Sequence, residues 1–272
     1  MKKILIALDN SPAGRAVVAG AQALALLLDA GVEAVHVHED GDRTARSTAE
    51  AAGVPLRTVS GAVADRLVEA GEADDVVALA IGARGTAAAR RPLGSTAAAV
   101  ATTLAKPVLV VPPDGLEAPV FRSVLVPLEG TVSSSLAPRA VFELAAGAEI
   151  DVVALHVYDQ ASMPSFTDQP QHEQRAWEHE FVQRYCPWGV TGVRLETRVG
   201  RTGEVIAEVA EECACDVIAL GWSQELAAGR AAVVRETLER SSHPLLLVPV
   251  RVAGATSGVE ATGAATAGRV QP

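Results

Sequence analysis

The residues that invite chemistry cluster in one stretch. Gly82-Ala83-Arg84-Gly85-Thr86 follows an apolar run, eight residues separate Gly85 from Gly94, and Gly94-Ser95-Thr96 then opens a helical pattern. Glycines let backbone amides come close to a ligand, and a helix N-terminus offers unpaired N–H donors carrying positive partial charge. Ser95 adds a hydroxyl. Such an arrangement suits a phosphate chain, and Arg84, Arg90 and Arg91 supply cationic charge where a polyanion would be held. Asp9 stands just past a first apolar run, Ile4–Leu8, at another strand end where ligands of open α/β sheets collect.

Other constellations lead to plainer readings. His36 and His38 share a strand face, but no third metal ligand accompanies them, and His156 repeats His36 in the other half of the chain; strand-end packing explains His36 better. His172 and His179 are spaced for one helix face but do not form the His-Glu-x-x-His pattern of a metal-assisted hydrolase. Cys213-Ala-Cys215 lacks the spacing and the second pair that zinc needs, and with Cys186 gives too few cysteines for a disulfide framework. These read as buried thiols. Gly130 to Ser135 lacks nucleophile-elbow spacing, and Ser133–Ser135 suit a helix cap instead. No metal site and no catalytic residue is assigned. Trp177, Phe181, Tyr185 and Trp188 form the main aromatic group and are expected to cover local core.

These residues need a scaffold. The 272 residues are 49% hydrophobic but only 3% aromatic, so the core must be built from Ala, Val and Leu. A formal net charge of -10, without a basic cluster, argues against a nucleic-acid partner. No apolar run approaches the roughly 20 residues that span a bilayer, and no leader sequence opens the chain. A cytoplasmic protein with no membrane partner is expected.

The scaffold is duplicated. Lys3-Ile4-Leu5-Ile6-Ala7-Leu8-Asp9 returns as Ser123-Val124-Leu125-Val126-Pro127-Leu128-Glu129, and Val35-His36-Val37 returns as Leu155-His156-Val157. Gly61 and Gly82 then match Gly200 and Gly221, while Lys106-Pro107 matches His243-Pro244. The shifting offset places an insertion after the second strand of the second half and a short deletion after Gly221. A period this long marks duplicated domains. Apolar runs alternate with helical patterns, which predicts parallel sheets with crossover helices. The first half should place strands at Ile4–Leu8, Ala34–Val37, Leu56–Val59, Val76–Ile81 and Val108–Val111. Its first helix should be capped by Ser11, with Pro12 at its first position and Gly31 past its end. Domains are expected at 1–114 and 120–250, joined by a linker through Pro112–Pro119, with a disordered tail at 251–272.

In this order the motifs resemble those of a tandem universal stress protein. Gly82, Gly85, Gly94 and Ser95 are similar to that family's nucleotide signature, with a middle spacer of eight residues rather than about nine. Asp9, His36-Val37 and the Pro-flanked fifth strand resemble the family pattern too. The resemblance implies two doubly wound α/β domains, each a five-stranded, mostly parallel sheet with helices on both faces, of the adenine nucleotide alpha hydrolase-like type. It implies ATP as ligand, with room for Mg2+. Asp9 and Val37 would flank the adenosine, while Gly82, Arg84, Gly85, Gly94, Ser95 and Thr96 would hold ribose and phosphates. It also implies that the halves pair through their fifth strands as a pseudo-dimer, and it leaves a homodimer open. In the second half Glu129, Trp222, Gln224 and Ala231-Ala232 replace the signature, so that half should not bind ATP in the family manner. The expected role is a stress-response regulatory module, with at most slow ATP hydrolysis; a scaffold with a vestigial pocket is the alternative.

Overall fold

The computed structural model describes residues 1–38, 43–84, 93–115, 120–128, 150–158, 179–180, 183, 193–226 and 232–250. The first half supplies β1 (Lys3–Ala7), β2 (Gly31–Val37), β3 (Leu56–Val59), β4 (Val76–Gly82) and β5 (Val108–Val111). The second supplies β6 (Ser123–Pro127), β7 (Asp151–Tyr158), β8 (Arg194–Val199), β9 (Val217–Trp222) and β10 (Leu245–Pro249). All join one sheet in the order β3-β2-β1-β4-β5-β10-β9-β6-β7-β8. Each half is a parallel five-stranded unit, and among the described residues the only antiparallel strand pairing is the seam of β5 with β10.

The seam is symmetric at residue level. Leu246 lies opposite Leu109, Leu245 opposite Val110 and Leu247 opposite Val108. In the repeat Leu246 is the counterpart of Leu109, so the local two-fold relation passes between equivalent residues. The expected docking of the halves through their fifth strands is therefore what the chain does.

The strands are nearly continuous Val, Ile and Leu because both faces are covered, as parallel sheets require. One apolar layer joins Ile4, Ile6 and Leu8 to α1 (Gly14–Leu27) and α2 (Arg43–Ala51). The other joins Leu5, Ala7 and Val35 to α3 (Val63–Gly71) and α4 (Ser95–Thr103). In the second half α5 (Thr202–Glu212) and α6 (Ala232–Arg240) lie on that same second face through Val205, Ile206, Val234 and Leu238. Both layers run through both halves.

At the amino edge of the sheet, Lys3 Nζ bridges Glu33 at 2.6 Å and Asp75 at 3.0 Å, tying β1 to the residues beside it on either hand. The hydrogen bond from Lys3 holds the Glu33 carboxyl below its ordinary range, and the bond to Glu33 raises the lysine. These charges are far along the strands from the carboxyl edge, which is left free for a ligand.

Three expectations at the first helix are corrected; one is Pro12, which lies two residues before α1 and not at its first position. Ser11 does not cap it: α1 begins at Gly14, its N-terminal flanking residue is Ala13, and no side chain caps it. The Asp9 carboxylate instead accepts the Ser11 N–H at 2.9 Å, and Gly14 N–H reaches back to Ser11 O at 3.3 Å. The chain thus turns on Asp9 before the helix starts. Gly31 does not end α1 either, since it opens β2. Asp29 takes the left-handed position with φ 47°, while Ala30 N–H bonds Ala25 O at 2.9 Å. A short polar side chain tolerates that conformation, and the bond closes a Schellman-type end.

Left-handed backbone also repeats between the halves. Gly61 (φ +130°) and Gly200 (φ +154°), matched in sequence, occupy the same kind of turn after the third strand of each half. Among the described residues no helix is long and apolar enough to cross a membrane. The expected tail, the caps at 133–135, the aromatic group at 177–188 and the linker residues 116–119 lie outside the described residues.

Candidate functional site

In the first half the chain runs from β1 outward to β2 and β3, then returns to β4 on the other side of β1. That reversal opens a crevice at the carboxyl ends of β1 and β4, the usual ligand position in such sheets. A cavity of about 330 Å³ sits there.

Its walls come from β1, β2, β4, α1, α3 and α4 and from the turn between β1 and α1. The ends of β1 and β4 contribute Ala7, Leu8, Ile81 and Gly82, and the turn into α1 contributes Asp9, Asn10 and Ser11. Asn10 Oδ1 accepts the Ala45 N–H at 3.2 Å, which anchors this turn to α2. Val37 at the end of β2, with Val63 and Leu67 one helical turn apart on α3, makes an apolar wall. Opposite it stand Gly94, Ser95, Thr96 and Ala97 at the start of α4.

The start of α4 is built as an open donor set. Gly94 has ordinary extended backbone (φ -66°, ψ 158°) and gives no side-chain cap. Its N–H donates to Ala83 O at 2.7 Å, and Ala83 N–H donates to Val111 O at 2.7 Å, which pins the helix entrance to the sheet. The first intrahelical bond is Ala98 N–H to Gly94 O at 2.9 Å. The amides of Ser95, Thr96 and Ala97 therefore have no acceptor within the helix, and all three residues line the cavity. Such a terminus attracts an anion.

Gly82 makes a related point. A Cβ there would stand 3.5 Å from Arg84 O and 3.6 Å from Val17 Cγ2, which is ordinary contact. Protein packing does not require the glycine; the space it leaves belongs to the cavity.

Of the residues singled out from sequence, Asp9, Val37, Gly82, Gly94, Ser95 and Thr96 come together in this one cavity. Arg84 stands beside the lining rather than in it, with its Nε buried and without a hydrogen-bond partner among the described residues. Gly85, Arg90 and Arg91 lie outside the described residues.

His36 does more than pack. Its Nδ1 is 2.8 Å from Leu8 O, and a carbonyl can only accept, so Nδ1 carries the proton. Nε2 is buried without a partner among the described residues, and His36 lines the cavity. His156 repeats the first contact, to Leu128 O at 3.0 Å. Sequence reasoning missed Val63 and Leu67 as lining. Their four-residue spacing on an amphipathic helix was the available signal.

The matching corner of the second half carries different side chains. Trp222 takes the place of Ala83, and its ring is buried in the apolar cluster that includes Leu220, Val234 and Leu238. Ala232 and Val233 occupy the places of Ser95 and Thr96. Helix α5 presses on α6 at Gly203, where an added Cβ would overlap the Cβ of Glu236, and Arg201 pairs with Glu236 across the same contact. Glu129 and Ala231 lie outside the described residues. Among the described residues no group of three His, Cys, Asp or Glu side chains could hold a metal ion.

The family model for the universal stress protein family matches residues 1–54, 43–112 and 121–249. The chain belongs to the universal stress protein family. No curated protein sequence matches it. Among solved structures, this universal stress protein is similar to one from Archaeoglobus fulgidus DSM 4304, with 16% identity, a TM-score of 0.63, and coverage of 91% of this chain and 98% of that one. A functionally unknown protein from Pseudomonas aeruginosa PAO1 has 12% identity and a TM-score of 0.64, covering 92% and 93%. At these identities the likeness establishes the two-domain fold that both halves of this universal stress protein adopt.

Proposed function

We propose that this universal stress protein binds one ATP per chain in the cavity of its first domain, residues 1–114, and serves as a cytoplasmic stress-response regulatory module. The observation that carries the reading is the start of α4, where the amides of Ser95, Thr96 and Ala97 have no intrahelical acceptor and all three residues line the cavity. Phosphates would sit on these donors, with the Ser95 hydroxyl and the open space above Gly82 beside them. Val37, Val63 and Leu67 offer a slot for a flat base, and Asp9, with Val37, would flank the adenosine. Bound Mg2+ would screen phosphate charge, held mainly by the phosphates and water, since the described residues offer no protein cage for it.

The second domain, residues 120–250, is read as scaffold. The buried Trp222 and the α5–α6 contact at Gly203 support this. Calorimetry with ATP and Mg2+ tests the reading: about one site per chain is expected. A stoichiometry near two overturns the scaffold role, and no binding overturns the nucleotide site in favour of a vestigial pocket. Following ADP release from the same mixture distinguishes a holding module from a slow hydrolase.

A further inference from the structure

The residue that replaces the second signature glycine in the second half makes a contact across the domains. Gln224 is the counterpart of Gly85 in the repeat, and it has left-handed backbone, φ 60°. Few side chains other than Asn, Asp and Gly settle there without cost, so such a conformation persists where its surroundings impose it. Its side chain reaches out of the second domain: Nε2 donates to Ala101 O at 3.1 Å and to Leu104 O at 2.7 Å. Both acceptors belong to the C-terminal turn of α4 and the residue after it, in the first domain.

Those carbonyls need an outside donor. Leu104 leaves the helix with extended backbone (ψ 125°), and its own N–H closes onto Val100 O. The next donors are spent elsewhere, Ala105 N–H on Glu72 and Lys106 Nζ on Ala73 O. Ala101 and Leu104 are buried, so a carbonyl left without Gln224 would lose a bond that water cannot easily replace. One amide group thus serves as the C-terminal cap of α4, supplied by the other domain.

The same helix carries the cavity donors at its other end. Nine residues, about 14 Å of rigid helix, separate them. Helix α4 itself buries only small side chains, Ala97, Val100 and Ala101. Its entrance is tied to the sheet through Gly94 N–H and Ala83 O, and the Gln224 clasp is the matching tie at its far end, so the two together set its axial position. We propose that Gln224 is a positioning residue for the first-domain nucleotide site: from the second domain it holds α4 so that Ser95, Thr96 and Ala97 face the phosphates. The inference rests on the nucleotide reading of the cavity. It makes the site complete only with the second domain docked, and by linkage nucleotide occupancy is felt at Gln224.

The full-length chain carries the test. Gln224→Gly removes the clasp and relieves the backbone, Gln224→Glu keeps the length but turns a donor toward two carbonyls into an acceptor, and Gln224→Asn keeps the amide and the left-handed tolerance but is too short. Two measurements are made on each: hydrogen exchange of the α4 amides without nucleotide, and the dissociation constant of a fluorescent ATP analogue with Mg2+. All three variants should exchange faster in α4 and bind about five- to tenfold more weakly, with one site per chain. Faster exchange with affinity within about twofold of wild type overturns the positioning role and leaves a purely structural clasp. Unchanged exchange and affinity overturn the clasp itself. A wild-type chain that binds no analogue overturns the cavity reading, and the exchange result then still decides whether α4 is held by Gln224.

Discussion

Leu109 and Leu246 hold equivalent places in the two halves and lie directly opposite each other where β5 meets β10. Because the register is symmetric about this pair, each fifth strand is complementary to a copy of itself. Every residue of β5 is buried, and it would be an uncovered apolar edge without β10. A fragment of residues 1–116 should therefore form a homodimer through β5, with Leu109 against its own copy, or aggregate. Sedimentation over a range of concentrations checks this, and a fragment that stays monomeric throughout contradicts it.

Thr237 offers a test of what the duplication left behind. It is buried on α6, and its hydroxyl has no partner among the described residues. Its counterpart in the first half is Val100, fully buried in the same layer. A buried hydroxyl without a hydrogen bond costs about 1–3 kcal/mol, whereas an isosteric methyl costs nothing of that kind. Thr237→Val should raise stability by about 1 kcal/mol in urea denaturation; a loss of stability would reveal a partner for the hydroxyl.

Gly203 is required by close approach rather than by backbone angle. Any Cβ there would run into the Cβ of Glu236, an atom that cannot swing away, and into Val233 O at 3.2 Å. Gly203→Ala should force α5 and α6 apart and destabilise the second half by about 1–3 kcal/mol. Thermal unfolding measures the loss, and one ATP site per chain should survive.

His243 gives the fold a pH dependence of known sign. Burial pushes its imidazole below the ordinary value, with Glu211 and Asp216 pulling weakly the other way. The folded chain therefore favours the neutral ring, while the unfolded chain takes up a proton near pH 6.5. Stability should fall as pH drops through that value and level off once the folded ring is also protonated. Urea midpoints at about pH 7.5 and 5.5 should differ less in His243→Gln than in the wild type; equal differences would assign the slope to other groups.

Much of this architecture was legible because it is local or repeated. The spans of β3 and β5 follow from short apolar runs between Gly, Pro and charged residues, and the repeat exposed the symmetric seam. The start of α1 differs from the sequence expectation because the chain first turns on the Asp9 carboxylate and on Gly14 N–H to Ser11 O, which delays the helix to Gly14. Asp29, rather than a glycine, took the left-handed end. The cavity's polar rim was readable from the glycines and the Ser95-Thr96 helix start. Its apolar wall was not, since Val63 and Leu67 look like any buried helix stripe until the empty space beside them is seen. The reach of Gln224 to Leu104 spans 120 residues, and no local pattern encodes it.

The two ends of the repeat make the sharpest prediction, because they separate ligand approach from folding. Gly94 has extended backbone that any residue can adopt, so Gly94→Val should leave the helix in place and lose about 0.5–1 kcal/mol as a cap. Its isopropyl group, however, would stand where phosphates must approach the amides of Ser95, Thr96 and Ala97. ATP affinity should drop by at least about tenfold, roughly 1.4 kcal/mol, with the thermal midpoint nearly unchanged. Ala231→Val makes the comparable change at the residue aligned with Gly94 and should leave both affinity and stoichiometry as in the wild type. Calorimetry of the three proteins decides it. If half the binding survives Gly94→Val, or if Ala231→Val removes half, then both halves hold nucleotide and the division between a binding domain and a scaffold domain is wrong.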